Sequence, residues 1–502
     1  MAERIDWSSL WKKEDWWAFW LGMLLFVLCL ATAYGADIMG WVVKSSVWTD
    51  AAKAMGPTSK AFANLGPIGS FVVTWLVLLV LTTIGAAAMG WKVGRFAAAF
   101  TVIFIITWIC WVIGHNAYIA ATDPAKAGVP WSLRMTGEAG YILALIVGLI
   151  IGNFFKGFAD WLKEAAKPEW FIKTAIVLLG AVVGIKAPTI PPEILYNYLF
   201  RGLCAIVEAY LIYWALVYWV ARRYFGFSRE WAAPLASGIA ICGVSAAIAT
   251  GGAIRARPIV PVMVASLVVV FAVVELLILP FLAAAFLHDQ PLVAGAWMGL
   301  AVKTDGAATA SGELVEALIL GQYRPEWSEA LKDWILNAAV TTKIFIDIFI
   351  GVWAFLLAVI WVYWIERRPG EKVEKLEIWY RFPKFVIGYF LTFVIIAWLV
   401  SAAINAYAAN LGVSVVELTT EQFKEAYAPF KAAVDEMNSF RRIFFALTFF
   451  SIGVISDFSV LRREGIGRLA LVYFVCLFGF IIWIGLFISW LFFHDVHLLF
   501  LR

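Results

Sequence analysis

Residues 237–252 read SGIAICGVSAAIATGG, an apolar stretch in which nearly every side chain is small. Gly243, Gly251 and Gly252 weaken a helix where they stand, and the hydroxyls of Ser245 and Thr250 can satisfy backbone groups freed by unwinding. Two structures fit that pattern. One is a discontinuous transmembrane helix whose broken ends offer donors and acceptors at mid-bilayer. The other is a thin, continuous helix packed tightly between neighbours. Arg255 and Arg257 follow before Pro258, placed either to anchor the helix at the interface or to capture a charged solute.

The surroundings of this stretch are those of a membrane protein. Hydrophobic residues make up 63% of the 502 and charged residues 15%, against roughly 25% charged in soluble domains. One soluble core cannot bury that much apolar surface, so the surplus faces lipid. Runs long enough to cross a bilayer as helices occur near 16–35, 70–90, 97–121, 138–155, 170–186, 201–221, 231–253, 258–286, 291–320, 335–365, 384–409, 440–458 and 469–494. The ninth is the weakest, because Lys303, Thr304, Asp305 and Gly306 fall near its middle. The expected fold is therefore an all-α polytopic membrane protein with about 13 transmembrane helices. The first run is read as a retained helix rather than a signal peptide, since Glu14, Asp15 and a cluster of tryptophans precede it.

Lys and Arg are denser in the loops that share a side with the N-terminus, which predicts a cytoplasmic N-terminus and makes 366–383 the main cytoplasmic linker. Residues 1–130 form an N-terminal extension of three bulky spans. Gly148 and Gly152, and Gly180 and Gly184, have the four-residue spacing that lets helix backbones approach closely.

Several function classes lose support. Net charge is +4 with no basic tract, so nucleic acid is not an expected partner. Cys29, Cys110, Cys204, Cys476 and Cys242 are dispersed through apolar runs, which reads as five small apolar side chains with no metal site. No nucleotide-binding loop, cofactor motif or nucleophile–base pair is present, so no cofactor and no enzymatic activity are expected.

Ionisable residues inside spans are costly and are functional candidates by default. Glu208, Glu275, Lys303, Asp305, Lys343 and Asp347 qualify. Lys343 and Asp347 are four apart and can neutralise each other or serve a solute. Lys303 is best placed to attract an anion, among Gly299, Thr304, Gly306 and Ser311. Glu275, in apolar surroundings, can carry a proton or donate a buried hydrogen bond. Run twelve contains Phe450-Ser-Ile-Gly453-Val-Ile-Ser456-Asp457, a positional counterpart to run seven if the last ten runs form two groups of five.

The stretch ICGVSAAIATGGAIRARP resembles the YeiH-like sulfate exporter family, together with GEAGYILALIVGLIIGNFF, GAWMGLAVKTDGAATASGEL, NAAVTTKIF, FPKFVIGYF and FFALTFFSIGVISDFSVLRREG in matching order over roughly 135–494. That family is grouped with cation/proton antiporters and bile-acid-type symporters. The resemblance implies a core of two inverted five-helix repeats with crossing discontinuous helices, the first repeat and the start of the second in 131–365, the remainder in 384–502. Glu208, Cys242, Gly243, Arg255 and Lys343 match the family pattern. Lys303-Thr304 stands where a histidine and an acid are usual, Ile346 where an arginine is usual, and Glu275 where an apolar residue is usual.

Together these readings predict a secondary active transporter, an exporter or exchanger in the plasma membrane, for a small anion such as sulfate, a related sulfur oxyanion or a sulfonate. Gly243, Ser245, Lys303, Thr304, Gly453 and Ser456 are the expected anion-binding residues. Glu275, Asp305, Glu208, Lys343 and Asp347 are the expected ion-coupling residues, with H+ or Na+ as the ion. A homodimer is compatible with the sequence. An anion channel or a membrane-embedded enzyme is the alternative.

Overall fold

The computed structural model describes residues 7–121, 123–133, 135–137, 139–185, 187–189, 192–257, 259–365, 383–415, 418–459 and 466–496. Within them, the side chains of 189, 192–195, 197–199, 205–210, 245, 348, 351, 420 and 466 lie outside the description. The expected linker at 366–383 therefore falls almost wholly outside it.

In chain order the principal helices are α1 (Glu14–Leu30), α2 (Gly66–Ala88), α3 (Val93–Gly114), α4 (Ala139–Phe154), α5 (Lys156–Leu162), α6 (Pro168–Gly184), α7 (Pro192–Arg223), α8 (Arg229–Ser237) and α9 (Gly243–Ala253). They continue as α10 (Ile259–Leu287), α11 (Pro291–Ala301), α12 (Asp305–Leu318), α13 (Trp334–Ile348), α14 (Ile350–Ile360), α15 (Lys384–Leu411), α16 (Thr420–Ile455), α17 (Ile466–Cys476) and α18 (Ile482–Phe493). A two-stranded antiparallel sheet, Val43–Ser45 with Met55–Pro57, lies between α1 and α2 in the sequence.

Among the described residues, eight helices are long and apolar enough to cross a bilayer, or nine if the pair α4 and α5, bent by 120°, counts as one span. Thirteen were expected. Part of the difference has a physical basis. Runs seven and nine are broken into halves too short to span alone, and α6 has 17 residues. The protein is an all-α polytopic membrane protein.

The chain divides into two compact units, Met1–Leu195 with Lys384–Val454 and Leu498–Arg502, and Tyr196–Pro383 with Ile455–His497. This division by packing differs from the sequence-based one at 130, 365 and 383.

In the first unit, α1, α6 and α15 pack through glycines. A Cβ on Gly22 would lie 2.6 Å from Val177, and one on Gly180 would lie 2.2 Å from the Tyr389 carbonyl oxygen. Backbone contact this close is open only to glycine. Asp15 at the start of α1 pairs with the buried Lys173 of α6 at 2.8 Å and accepts from the Lys384 backbone N–H at 3.1 Å. The first span is therefore bonded into the unit.

α16 is a single helix of 36 residues. The interruption expected at Gly453 is absent, because Gly453 serves packing: a Cβ there would lie 2.4 Å from the Leu145 carbonyl oxygen of α4. Ser456 follows the end of this helix and is fully buried.

In the second unit, α11 packs on α13, where a Cβ on Gly295 would lie 2.2 Å from the Ile335 carbonyl oxygen. The Trp297 indole donates to the Ile482 carbonyl of α18 at 2.8 Å. The buried start of α13 is capped from α12, since the Glu316 carboxylate accepts from the backbone N–H groups of Asp333 at 2.7 Å and Leu336 at 3.0 Å. Those N–H groups have no partner within their own helix, which is why a buried acid is tolerated there.

Candidate functional site

The second unit contains two helix breaks. In run seven, α8 passes through a π-helical turn at Gly238–Cys242, and the chain then turns at Cys242 (φ −135°, ψ 63°) and Gly243 (φ 36°, ψ −103°) before α9 begins. The positive φ of Gly243 suits a residue without a Cβ. Across the break, the Thr250 hydroxyl donates to Ser237 Oγ at 2.7 Å, and the Trp214 indole donates to the same oxygen at 2.9 Å. Of the two structures that fit residues 237–252, the chain adopts the discontinuous one.

In run nine, α11 ends at Ala301, Val302 is extended, and α12 restarts at Asp305. Thr304 is its N-cap, accepting the Ala307 N–H on its side-chain oxygen at 3.1 Å, and Asp305 adds an acid to the first turn. Both features favour a helix start. The polar residues that made run nine look like a poor span are the signature of this restart. Run nine thus supplies a second break in this unit, beside that of run seven.

The two breaks touch. A Cβ on Gly243 would lie 2.5 Å from Val268 Cγ1, 2.8 Å from the Lys303 carbonyl oxygen and 3.2 Å from Thr304 Cγ2. Two helix N-termini, those of α9 and α12, thus start at one place, each presenting backbone N–H groups and the positive end of a dipole.

Two groups of buried charge flank the contact. In one, Lys303 is 1% exposed and its ammonium donates to the Leu300 carbonyl and lies 4.9 Å from the centre of the Tyr213 ring. Its backbone N–H donates to Glu275 Oε2 at 3.0 Å, while Glu275 Oε1 is buried with no hydrogen-bond partner among the described residues. In the other, the Cys242 thiol donates to Asp305 Oδ1 at 2.6 Å. Lys343 donates to the Ile241 carbonyl at 2.9 Å and lies 4.0 Å from Asp305. Lys343 is thus directed to the first break and Asp305, and neither carboxylate oxygen of Asp347 has a hydrogen-bond partner among the described residues.

Of the residues singled out in the sequence, Gly243, Lys303, Thr304, Asp305, Lys343, Asp347 and Glu275 come together around the breaks. Ser245 lies in α9 and Glu208 in α7, with side chains outside the described residues. Gly453 is placed in the first unit, in the packing of α16 on α4. Sequence reasoning missed the cap role of Glu316, the Tyr213 ring and the thiol of Cys242 as a polar group. Arg257 donates to Glu230 from its backbone N–H at 2.8 Å and from Nε at 3.0 Å. Those two bonds hold the Glu230 carboxyl below the usual carboxylate range.

Comparison with known proteins places the chain. The model of the family described as conserved hypothetical protein 698 matches residues 117–472. A UPF0324 membrane protein of Nitrosomonas europaea is 42% identical over 491 residues, covering 97% of this chain and 96% of the relative. An uncharacterized protein of Archaeoglobus fulgidus is 87% identical over 189 residues, 38% of this chain and 100% of that relative. A UPF0324 membrane protein of Rhodopirellula baltica is 28% identical over 451 residues, 88% of this chain and 70% of that relative. No solved structure matches. With a relative this similar along nearly its whole length, and a family model over most of it, the chain belongs to the UPF0324 membrane protein family, described as conserved hypothetical protein 698.

Proposed function

We propose that the protein is a secondary active transporter that exports or exchanges a small anion, a sulfur oxyanion or sulfonate, across the plasma membrane. The observation that carries this reading is the meeting of two broken helices at Gly243 and Lys303–Thr304, with a buried lysine beside two helix N-termini. Discontinuous helices with N-termini aimed at one point suit an anionic group. Lys303 attracts the anion, the N–H groups opening α9 and α12 hold it, and Glu275 carries the coupling proton through its unpartnered oxygen. Two inverted repeats, a cytoplasmic N-terminus and a homodimer complete the proposal, with no enzymatic step and no cofactor.

The test is charge movement in proteoliposomes on a solid-supported membrane, screened against sulfate, sulfite, sulfonates and carboxylates at several pH values. Saturable, pH-dependent currents with one of these anions are expected. Voltage-dependent current without saturation would make the protein a channel, and product formation from an added anion would make it an enzyme.

A further inference from the structure

A second cluster of buried polar side chains lies beside the first break, and its reading does not depend on the transport proposal. Cys242 Sγ, a carboxylate oxygen of Asp305 and one of Asp347 all lie within 4.8 Å of one another, and all three residues are buried. They come from three elements: the π-helical turn, the first residue of α12, and α13. Asp347 is 1% exposed, with no hydrogen-bond partner for either carboxylate oxygen among the described residues. A buried carboxylate without a partner is costly, and a bound cation is one of the few groups that compensate it.

Charge counting narrows the cation. Lys343 lies 4.0 Å from Asp305, so one cationic side chain already stands beside the cluster. If a divalent ion replaces the thiol proton, the thiolate and two carboxylates contribute three negative charges, against two from the ion and one from Lys343. The balance is then zero. Donor chemistry narrows it further. Magnesium and calcium ions want about six or more oxygen ligands, which this set does not supply. Sodium leaves the sulfur unused. One thiolate with two carboxylates suits a zinc-type ion, with three protein ligands and one open position.

We propose that Cys242, Asp305 and Asp347 form a binding site for a thiophilic divalent cation of the zinc type. On binding, the S–H bond of Cys242 breaks, a sulfur–metal bond forms, and the proton leaves to buffer. No electron is transferred. The ion ties together three elements that meet at the break, so it also raises the unfolding temperature.

Cobalt(II) is the probe. The full chain, purified in detergent and stripped with chelator, is titrated with Co2+ and followed by absorption. The expected result is a sulfur-to-cobalt charge-transfer band with tetrahedral d–d bands, removed by Zn2+ and unaffected by Mg2+. Cys242→Ser abolishes the charge-transfer band. Asp347→Asn weakens binding at least about tenfold, since losing a direct ligand costs no less than losing an outer-shell partner. The combined variant Cys29→Ser, Cys110→Ser, Cys204→Ser and Cys476→Ser keeps the band, and this readout stands even if Cys242→Ser does not fold. Absence of the band in folded wild-type protein, its persistence in Cys242→Ser, or its loss in the four-serine variant overturns the proposal.

Discussion

At the scale of single residues, the two buried charges nearest the contact between breaks make different predictions. Lys303 has its ammonium over the Tyr213 ring and Glu275 has one oxygen without a partner. On the proposed function, Lys303→Met removes the charge that attracts the anion, so anion binding is expected to be lost while the protein stays monodisperse; wild-type binding in that variant would move the anion site elsewhere. Glu275→Gln keeps the shape and the bond from the Lys303 N–H but cannot carry a proton. Anion binding therefore persists and the pH dependence of transport disappears. Under the same proposal the wild-type dependence has a definite sign. Transport that carries a proton slows once pH rises above the titration of Glu275, because the carrier then lacks its proton. Gly243→Ala tests the backbone instead. A Cβ there meets Val268 at 2.5 Å at a positive φ, and the strain should cost about 1–3 kcal/mol, read as a lower unfolding temperature.

At the scale of elements, the pairing of α1 with α6 turns an expected appendage into a structural part. Asp15→Asn removes the nearer of two carboxylates beside the Lys173 ammonium, Asp15 at 2.8 Å and Glu169 at 3.7 Å. The cost should be about 1–3 kcal/mol, moderated because the Asp15 side chain is 26% exposed. Thermal unfolding in detergent measures it, and an unchanged transition would mean that the pair contributes nothing. The same scale shows what the sequence could and could not reveal. Run seven announced its break through Gly243 and its neighbours, because backbone weakness is written in local composition. Run nine announced its break too, as a threonine cap followed by an acid, but those residues look like defects when a span is judged by hydropathy alone. Run twelve misled for the opposite reason. Its Gly453 faces α4, a partner about 300 residues away, and no local pattern separates a glycine that packs from one that breaks.

At the scale of the molecule, membrane residence was legible from composition, since burial of so many apolar side chains has no soluble solution. The division into two units was not, because it joins segments on either side of 196–383. Orientation rests on basic residues in loops, and it can be tested on described, exposed positions. Tyr224→Cys is expected to resist a membrane-impermeant thiol reagent in intact cells, and Lys53→Cys to react with it, both on a background without native cysteines. The reverse pattern would invert the whole assignment.

One feature of the first unit reaches past the bilayer. The 36 residues of α16 measure about 54 Å as a continuous helix, whereas the hydrocarbon layer is about 30 Å thick. Its first half carries Glu421, Lys424, Glu425, Lys431, Asp435 and the buried Glu436, with Lys431 and Asp435 paired at 3.3 Å, while from Ile443 onward the helix carries no charge and is buried almost throughout. The exposed charged turns up to Asp435 therefore continue the same helix beyond its uncharged part, with Pro429 among them. Small membrane proteins hidden in detergent offer little for particle images to align on. A helix that continues past its uncharged part supplies a landmark, and a rigid binder or a fused helical protein attached on the near side of Pro429 would report the orientation of the unit beneath.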